Sequence, residues 1–170
     1  MMDINNIESI VEIQKGSNIK YEYDHKEEKL ICDRFLHTPV NYFFNYGYIP
    51  KTLGGDNDEI DIIVLCDEAI LPTCYIKCKI LGVLETEDEH GKDPKIIAVP
   101  SDKIDPLSLK YKDISDIDKN TLDKLIIFFE TYKTLEPDKW VKVGKIKDKY
   151  EAKRIIQKGY HDYQKKMVNS

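Results

Sequence analysis

The sequence predicts an α+β fold that is mainly β, with a small closed barrel flanked by C-terminal α-helices. Alternating apolar and polar residues indicate strands in the first hundred positions, and a helical period replaces this alternation in the last third. No repeat or low-complexity linker interrupts the chain, and 170 residues fit a single domain, 1–170. A chain of this length can bury a core without disulfides or a structural metal.

Two blocks of strands are expected. The first covers 8–35, where IVEI, IKYEY and KLICDRF are each typical of a strand. In IKYEY, the alternation places Ile19 and both tyrosines on one face, and Lys20 with Glu22 on the other. The second block comprises 60–66, 75–85 and 95–99.

The segment between these blocks, TPVNYFFNYGYIPKTLGGDND, is rich in aromatic and turn residues and is predicted to be a structured loop. In the last third, helical spacing relates Leu122, Leu125, Ile126, Phe129 and Tyr132. A second helix is predicted to begin at a capping box formed by Asp148 and Glu151, with an apolar stripe made by Ala152, Ile155, Ile156 and Tyr163. The pattern gives no strand order.

Composition excludes several classes of function. The net charge of -5 argues against a general binder of nucleic acids or anionic membranes, which would carry a basic excess. No apolar run approaches the length of a membrane helix, and the N-terminal MMDINNIESIVEIQKG lacks the features of a secretory signal. The four cysteines are expected to be reduced structural thiols of a cytoplasmic protein, although Cys74 and Cys78 resemble a zinc half-site.

Three aspartates, Asp56, Asp58 and Asp61, lie within six residues in LGGDNDEIDIIVL, just ahead of a strongly apolar run. A calcium loop of the EF-hand type is excluded, because its glycine and glutamate positions are taken by Asp61 and Asp67. Either a solvated turn or a site for a hard cation explains the cluster. Magnesium fits, because it takes one or two carboxylates and completes its shell with water and phosphate oxygens.

A second acidic cluster, ETEDEHGKDPK, contains Asp88, Glu89 and Asp93. Both clusters lie at the ends of apolar strands, where a barrel would present them together. Arginine and lysine can bind phosphate, and tyrosine can donate a hydrogen bond to it; the candidates are Lys20, Arg34, Lys95, Lys133, Tyr42, Tyr46 and Tyr132. His25, His37 and His161 are expected at the surface, and His90 is assigned no chemistry because one histidine makes no zinc site.

These segments resemble the soluble family I inorganic pyrophosphatases of bacterial type. DNDEIDI fits the three-aspartate signature of that family, and IKYE, DRF, NYGYIP, DEHGKDPK, FFETYK and KWVKV follow in the family's order. The resemblance implies a five-stranded closed β-barrel of the OB-like kind. It also implies Mg²⁺-dependent hydrolysis of pyrophosphate to two orthophosphates by a metal-activated water, without a phosphoenzyme. Mn²⁺ or Zn²⁺ are expected substitutes for Mg²⁺, and a cytoplasmic homohexamer is expected.

The resemblance also implies roles for individual residues. Asp56, Asp61 and Asp93 resemble ligands of the first activating metal, with Asp61 bridging to a second metal and Asp88 serving metals that arrive with substrate. Asp58 matches the general base. The phosphate-binding positions are Lys20, Arg34, Tyr46, Lys95, Tyr132 and Lys133, of which Arg34 and Lys133 would neutralise the leaving phosphate. Further site-lining positions are Glu12, Glu22, Tyr42 and Glu89.

The signature departs from the family at two positions. Asn57 and Glu59 stand where the family commonly has glycine and proline, and the Glu59 carboxylate is expected to point away from the metals. Two other functions stay open at this stage. A small barrel can bind oligonucleotides by stacking bases on tyrosines, which the acidic balance disfavours. An enzyme for nucleoside triphosphates is the second alternative, although no glycine-rich phosphate loop is evident.

Overall fold

The computed structural model describes residues 1–170 and contains nine strands and two α-helices. The strands are β1 Ile7–Ile13, β2 Ile19–Asp24, β3 Lys29–Phe35, β4 Asn45–Ile49, β5 Ile60–Val64, β6 Tyr75–Asp88, β7 Gly91–Lys92, β8 Lys95–Pro100 and β9 Val141–Asp148. The helices are α1 Lys119–Thr131 and α2 Lys149–Val168. Two short 3₁₀ helices, Pro106–Lys110 and Ile114–Asp116, lie between β8 and α1.

Five strands form a closed ring. The order is β1-β4-β5-β8-β6, and β6 pairs with β1 to close it. Most of these pairs are antiparallel, but β5 and β8 run parallel. The prediction of a closed, mainly β barrel with flanking helices is therefore confirmed. The hairpin of β2 and β3 forms a separate two-stranded sheet.

Strand β4 corrects the prediction of a structured loop between the two blocks. All five of its residues are buried, so it shows none of the alternation that marks a strand with one wet face. Gly47 allows the neighbouring strand to approach, since a Cβ at this position would lie 1.8 Å from the carbonyl oxygen of Ile10. The sequence of β4 resembles a turn because it contains asparagine and glycine.

Strand β9 corrects the prediction that the C-terminal third is purely helical. It pairs antiparallel with the long β6. The two helices around it begin as predicted or close to it: Asp118 caps α1 and Asp148 caps α2 by accepting backbone N–H groups. Glu151 does not complete the capping box, because its carboxylate is paired with Arg154 at 2.6 Å.

The helices cover opposite parts of the barrel core. From α1, Leu125, Phe128 and Phe129 pack in a cluster with aromatic residues of the segment before β4. From α2, Ala152 and Ile156 pack against β1, β5 and β6. No helix combines the length and apolar character needed to cross a bilayer. The four cysteines form no disulfide, and Cys78 is the only one that is buried.

The topology places both acidic clusters at one end of the ring. Because β5 and β8 are parallel, their first residues lie side by side, with Asp61 opposite Lys95. The antiparallel pairing of β6 with β8 brings the end of β6, and with it Asp88, to the same end. Helix α2 supports the loop before β5, since Leu53 N–H donates to the carbonyl of Gly159 at 3.0 Å.

Candidate active site

One cavity of about 350 Å³ lies beside the first residues of β5 and β8. Every residue that the sequence assigns to the site lines this cavity, fifteen in all. They are Glu12, Lys20, Glu22, Arg34, Tyr42, Tyr46, Asp56, Asp58, Asp61, Asp88, Glu89, Asp93, Lys95, Tyr132 and Lys133. The fold thus brings together residues spread over more than a hundred positions of the chain.

Hydrogen bonds within the loop before β5 fix its turn. Asp58 N–H donates to Asp56 Oδ1 at 3.1 Å, and Gly54 N–H donates to the Asp58 carbonyl at 2.7 Å. Asn57, at the top of this turn, has φ of 67°. This left-handed conformation favours glycine, and asparagine is among the residues that tolerate it best. Asn57 therefore keeps the turn in place of the family's glycine.

Lys95 is the centre of the acidic cluster. Its ammonium lies 2.6 Å from Asp61 Oδ2 and 2.5 Å from Asp93 Oδ2, and its side chain is only 5% exposed. Burial opposes the charge of Lys95, but the carboxylate of Asp61, with Tyr46 and Asp93, outweighs burial and holds its pKa well above the ordinary value. Lys95 is thus a fixed cation between two carboxylates.

Burial, with a smaller contribution from neighbouring carboxylates, raises the pKa values of several carboxyl groups in the cavity. Burial raises the pKa of Glu12 to about 8, against the hydrogen bond that Tyr23 N–H donates to Oε2 at 2.8 Å. Burial also raises the pKa of Asp93 to about 7, in spite of the nearby Lys95. The pKa of Asp56 is raised for the same reason. Added positive charge would relieve this crowding.

Each of the other cations that line the cavity has an acidic partner. Lys133 Nζ lies 3.5 Å from Asp88 and 3.7 Å from Glu89. Lys20 pairs with Glu22, its neighbour but one along β2. Arg34 uses Nη1 for Asp33 and Nε for Glu136. These pairs hold the basic groups at the surface of the cavity.

The three predicted tyrosines form an aromatic part of the cavity wall. Tyr42, Tyr46 and Tyr132 are almost completely buried and pack with Phe128 and Phe129. Burial raises the pKa of Tyr132 to about 12, and it raises those of Tyr42 and Tyr46 well above their usual range. Their hydroxyl groups therefore stay protonated and can act as hydrogen-bond donors.

Sequence reasoning missed nine residues that line the cavity. Glu59 is the unexpected one, because its carboxylate lines the cavity and contacts His25 Nε2 at 2.7 Å, although it was expected to point away. Burial, with a contribution from Asp58, raises the pKa of Glu59 to about 7. His25 is exposed as predicted, but it faces this cavity between Tyr23 and Tyr48. The full set is Ile13, Tyr21, Tyr23, His25, Asp33, Tyr48, Glu59, His90 and Lys139.

Both faces of β2 reach the cavity, which the alternation in IKYEY does not predict. Tyr21 and Tyr23 line it together with Lys20 and Glu22. The register of β2 against β3 shifts between Lys20 and Tyr21, and such a bulge increases the local twist of a strand. No sequence signal marks this bulge, so the contribution of the tyrosines could not be foreseen.

The charge of the cavity wall is unbalanced. Ten carboxyl groups face five lysine and arginine side chains, so an anion would be repelled unless cations entered with it. All of these donors are hard oxygens, which suit Mg²⁺ and similar ions. No three acidic, histidine or cysteine side chains already form a metal cage. The site fits ions that keep water and take few protein ligands each.

Comparison with known proteins gives one consistent family. A family model for inorganic pyrophosphatase matches residues 9–164. The inorganic pyrophosphatase of Helicobacter pylori (strain ATCC 700392 / 26695) is 49% identical over 155 residues, which cover 91% of this chain and 90% of that protein. The inorganic pyrophosphatase of Nanoarchaeum equitans is 46% identical over 157 residues, which cover 92% and 97%.

Solved structures give the same result. The Helicobacter pylori inorganic pyrophosphatase superposes with a TM-score of 0.93 at 47% identity, covering 96% of each chain. The inorganic pyrophosphatase of Thermus thermophilus superposes with a TM-score of 0.89 at 34% identity, covering 92% of this chain and 90% of that one. The likeness extends over nearly the whole molecule.

Proposed function

The chain belongs to the family of inorganic pyrophosphatases, which hydrolyse pyrophosphate, and we propose that it does so with Mg²⁺, by direct attack of water and without a phosphoenzyme. The observation that carries this proposal is one cavity lined by ten carboxyl groups together with five lysine and arginine side chains. Pyrophosphate needs both, because its charge is neutralised by basic residues and by divalent cations, which carboxylates bind together with water and phosphate oxygens.

The candidate metal ligands come from the loop before β5, from β5 itself and from the residues that flank β7. Asp56, Asp61 and Asp93 would hold activating Mg²⁺, and Asp88 would hold ions that enter with the substrate. When bound, divalent cations neutralise phosphate charge and lower the pKa of a coordinated water toward about 7. The excess of carboxyl groups over basic groups in the wall supports this assignment.

The remaining residues act on the substrate and on protons. Asp58, whose side chain lines the cavity beside the proposed ligands, would accept the proton of the attacking water. Lys133 and Arg34 would neutralise the leaving phosphate, while Lys20 and Lys95 would bind phosphate oxygens. Tyr42, Tyr46 and Tyr132, held protonated by burial, would donate hydrogen bonds. Positioning and charge neutralisation supply most of the catalysis in phosphoryl transfer.

The wider proposal is a homohexamer located in the cytoplasm. It is supported by the short length of the chain, which resembles that of bacterial members of the family, and by its resemblance to them. Light scattering after size-exclusion chromatography tests the assembly directly, because a hexamer of this 19.9 kDa chain has six times that mass.

The experiment that tests the proposed function is phosphate release from pyrophosphate and from ATP, each with Mg²⁺, with Ca²⁺ and with EDTA. We expect release from pyrophosphate with Mg²⁺, none in EDTA, and inhibition by Ca²⁺, whose looser coordination would misplace the water. Faster release from ATP would favour a nucleoside triphosphatase. Equal rates with Ca²⁺ and Mg²⁺ would contradict the proposed use of the metal.

A further inference from the structure

Glu136 lies outside the cavity wall but contacts two cations that belong to it. Its Oε1 is 2.7 Å from Arg34 Nε and 3.2 Å from Lys139 Nζ. The Glu136 side chain is only 4% exposed, whereas Arg34 and Lys139 both line the cavity. The buried carboxylate of Glu136 thus pairs, from outside the cavity, with two basic groups that line it.

The burial of Glu136 is costly for stability. Its second oxygen, Oε2, has no hydrogen-bond partner in the protein, and neither has Arg34 Nε, so the compensation comes from the charges of the two cations. Burial opposes the charge of Glu136, but Arg34 and Lys139 outweigh it and lower the pKa below the ordinary value. A buried ion pair is often no more stable than apolar residues of the same volume. The placement of Glu136 therefore has to be explained by what it orients.

Arg34 is oriented through two of its three nitrogens. Glu136 forms an ion pair of 2.7 Å with Nε that lacks hydrogen-bond geometry, whereas Asp33 accepts a hydrogen bond from Nη1. Nη2 is the nitrogen that is left free of ion pairs. A guanidinium held in this way presents a fixed edge, and arginine binds phosphate best through such a planar fork. Without Glu136 the long side chain would lose one of its two anchors.

Glu136 also connects Arg34 with the end of α1. Its backbone N–H donates to the carbonyl of Lys133 at 3.1 Å, so Lys133 and Glu136 belong to one turn. Lys133 points into the cavity, where it pairs with Asp88 and Glu89. This turn therefore links three cations, namely Arg34 from β3, Lys133 within the turn and Lys139 just after it.

We propose that Glu136 is a positioning residue that holds Arg34 and Lys139 in register with Lys133, so that the three cations bind the same pyrophosphate. This role rests on the proposed function, since it specifies how that substrate is held. Glu136 itself touches no substrate. The effect of Glu136 on kcat/KM should depend on the presence of Arg34. The effect of a merely structural residue would not depend on it.

The test is a double-mutant cycle on kcat/KM for pyrophosphate with saturating Mg²⁺, using Glu136→Gln, Arg34→Ala and the double variant. We expect Glu136→Gln to lower kcat/KM roughly 10- to 100-fold, as misplacement of a binding group does. In the Arg34→Ala background the same change should cost clearly less, because only its effect on Lys139 remains. Mg²⁺ affinity, measured by calorimetry, should stay at the wild-type value.

The controls separate this role from its alternatives. Glu130→Gln makes the same chemical change at an exposed glutamate of α1 and should match wild type. If Glu136→Gln does not fold, Glu136→Asp, which keeps the charge but shortens the reach, carries the same cycle. Losses that multiply with Arg34→Ala, or no loss at all, would overturn the positioning role alone. A wild-type protein that releases no phosphate would overturn the proposed function and this role with it.

Discussion

Lys95 and Asp61 are register partners on the parallel strands β8 and β5, and their side chains form an ion pair of 2.6 Å at the mouth of the cavity. The same ammonium reaches Asp93 at 2.5 Å. The parallel pairing is therefore what joins the two acidic clusters. A single buried lysine balances two carboxylates that are proposed to hold metal ions.

Replacing Lys95 by methionine should destabilise the protein most strongly in the absence of divalent ions. Removal of one partner leaves buried carboxylates uncompensated, at a cost of about 3–5 kcal/mol. Mg²⁺ should offset part of this loss, because cations bound by Asp61 and Asp93 supply the missing charge. Chemical unfolding in EDTA and in Mg²⁺ measures both values. An equal loss in the two conditions would argue that these carboxylates hold no cation.

Glu12 should make stability fall as pH rises in the metal-free protein. Its pKa is about 8 in the folded state and about 4.5 when unfolded. Below pH 4.5 both states hold the proton, and between 4.5 and 8 only the folded state does, so the free energy of unfolding decreases over that interval. Above pH 8 the contribution of Glu12 is fully lost.

Glu12→Gln removes this contribution, so we expect the variant to gain stability relative to wild type between pH 5 and pH 8. Chemical denaturation in EDTA at the two pH values is the measurement, with Glu130→Gln as the matched control. A difference between variant and wild type that is the same at both pH values would contradict the assignment. Asp93 and Glu59, whose pKa values are raised to about 7, should keep a residual slope in the variant.

The contact of Glu59 with His25 predicts a minor role for Glu59 in metal binding. An ion pair this exposed contributes about 0–1 kcal/mol, so Glu59→Gln should change the Mg²⁺ concentration for half-maximal activity by about fivefold at most. Glutamine is a cleaner replacement than the family's proline, because Glu59 N–H donates to Asp58 Oδ1 at 3.0 Å. His25→Gln is the partner control. A much larger rise in the Mg²⁺ requirement would identify Glu59 as a ligand.

The elements that sequence could predict are those with a strand alternation, a run of apolar residues or a clear helical stripe. Strands β1, β2, β3, β5, β6 and β8 and helices α1 and α2 fall at or near their predicted positions. Strand β4 carries asparagine and glycine and β9 carries glycine and several lysines, so neither shows the apolar pattern of a strand. The parallel pairing of β5 with β8 depends on contacts between distant segments, which local periodicity does not encode.

The residues of the site also divide into those that the sequence could predict and those that it could not. Residues within recognisable motifs, such as Asp61 and Lys133, were found because each motif carries its own chemistry. Tyr48 and Asp33 stand inside the motifs NYGYIP and DRF, but the resemblance assigns only Tyr46 and Arg34 there to the site. Both line the cavity, Tyr48 from β4 and Asp33 from the β2–β3 hairpin. Glu136 is invisible for another reason, since it acts on the cavity wall from behind and no spacing links it to Arg34.

The division of roles between Asp61 and Asp58 is tested most directly by Mg²⁺ titration of Asp61→Asn and Asp58→Asn beside wild type, with kcat recorded along each titration. Asp61→Asn should lose Mg²⁺ affinity and activity together, and excess Mg²⁺ should restore the activity only in part. Asp58→Asn should bind Mg²⁺ nearly as wild type does while kcat falls ~10²–10⁴-fold, the usual cost of losing a general base. If Asp58→Asn loses the metal and Asp61→Asn keeps it, the two assignments are wrong.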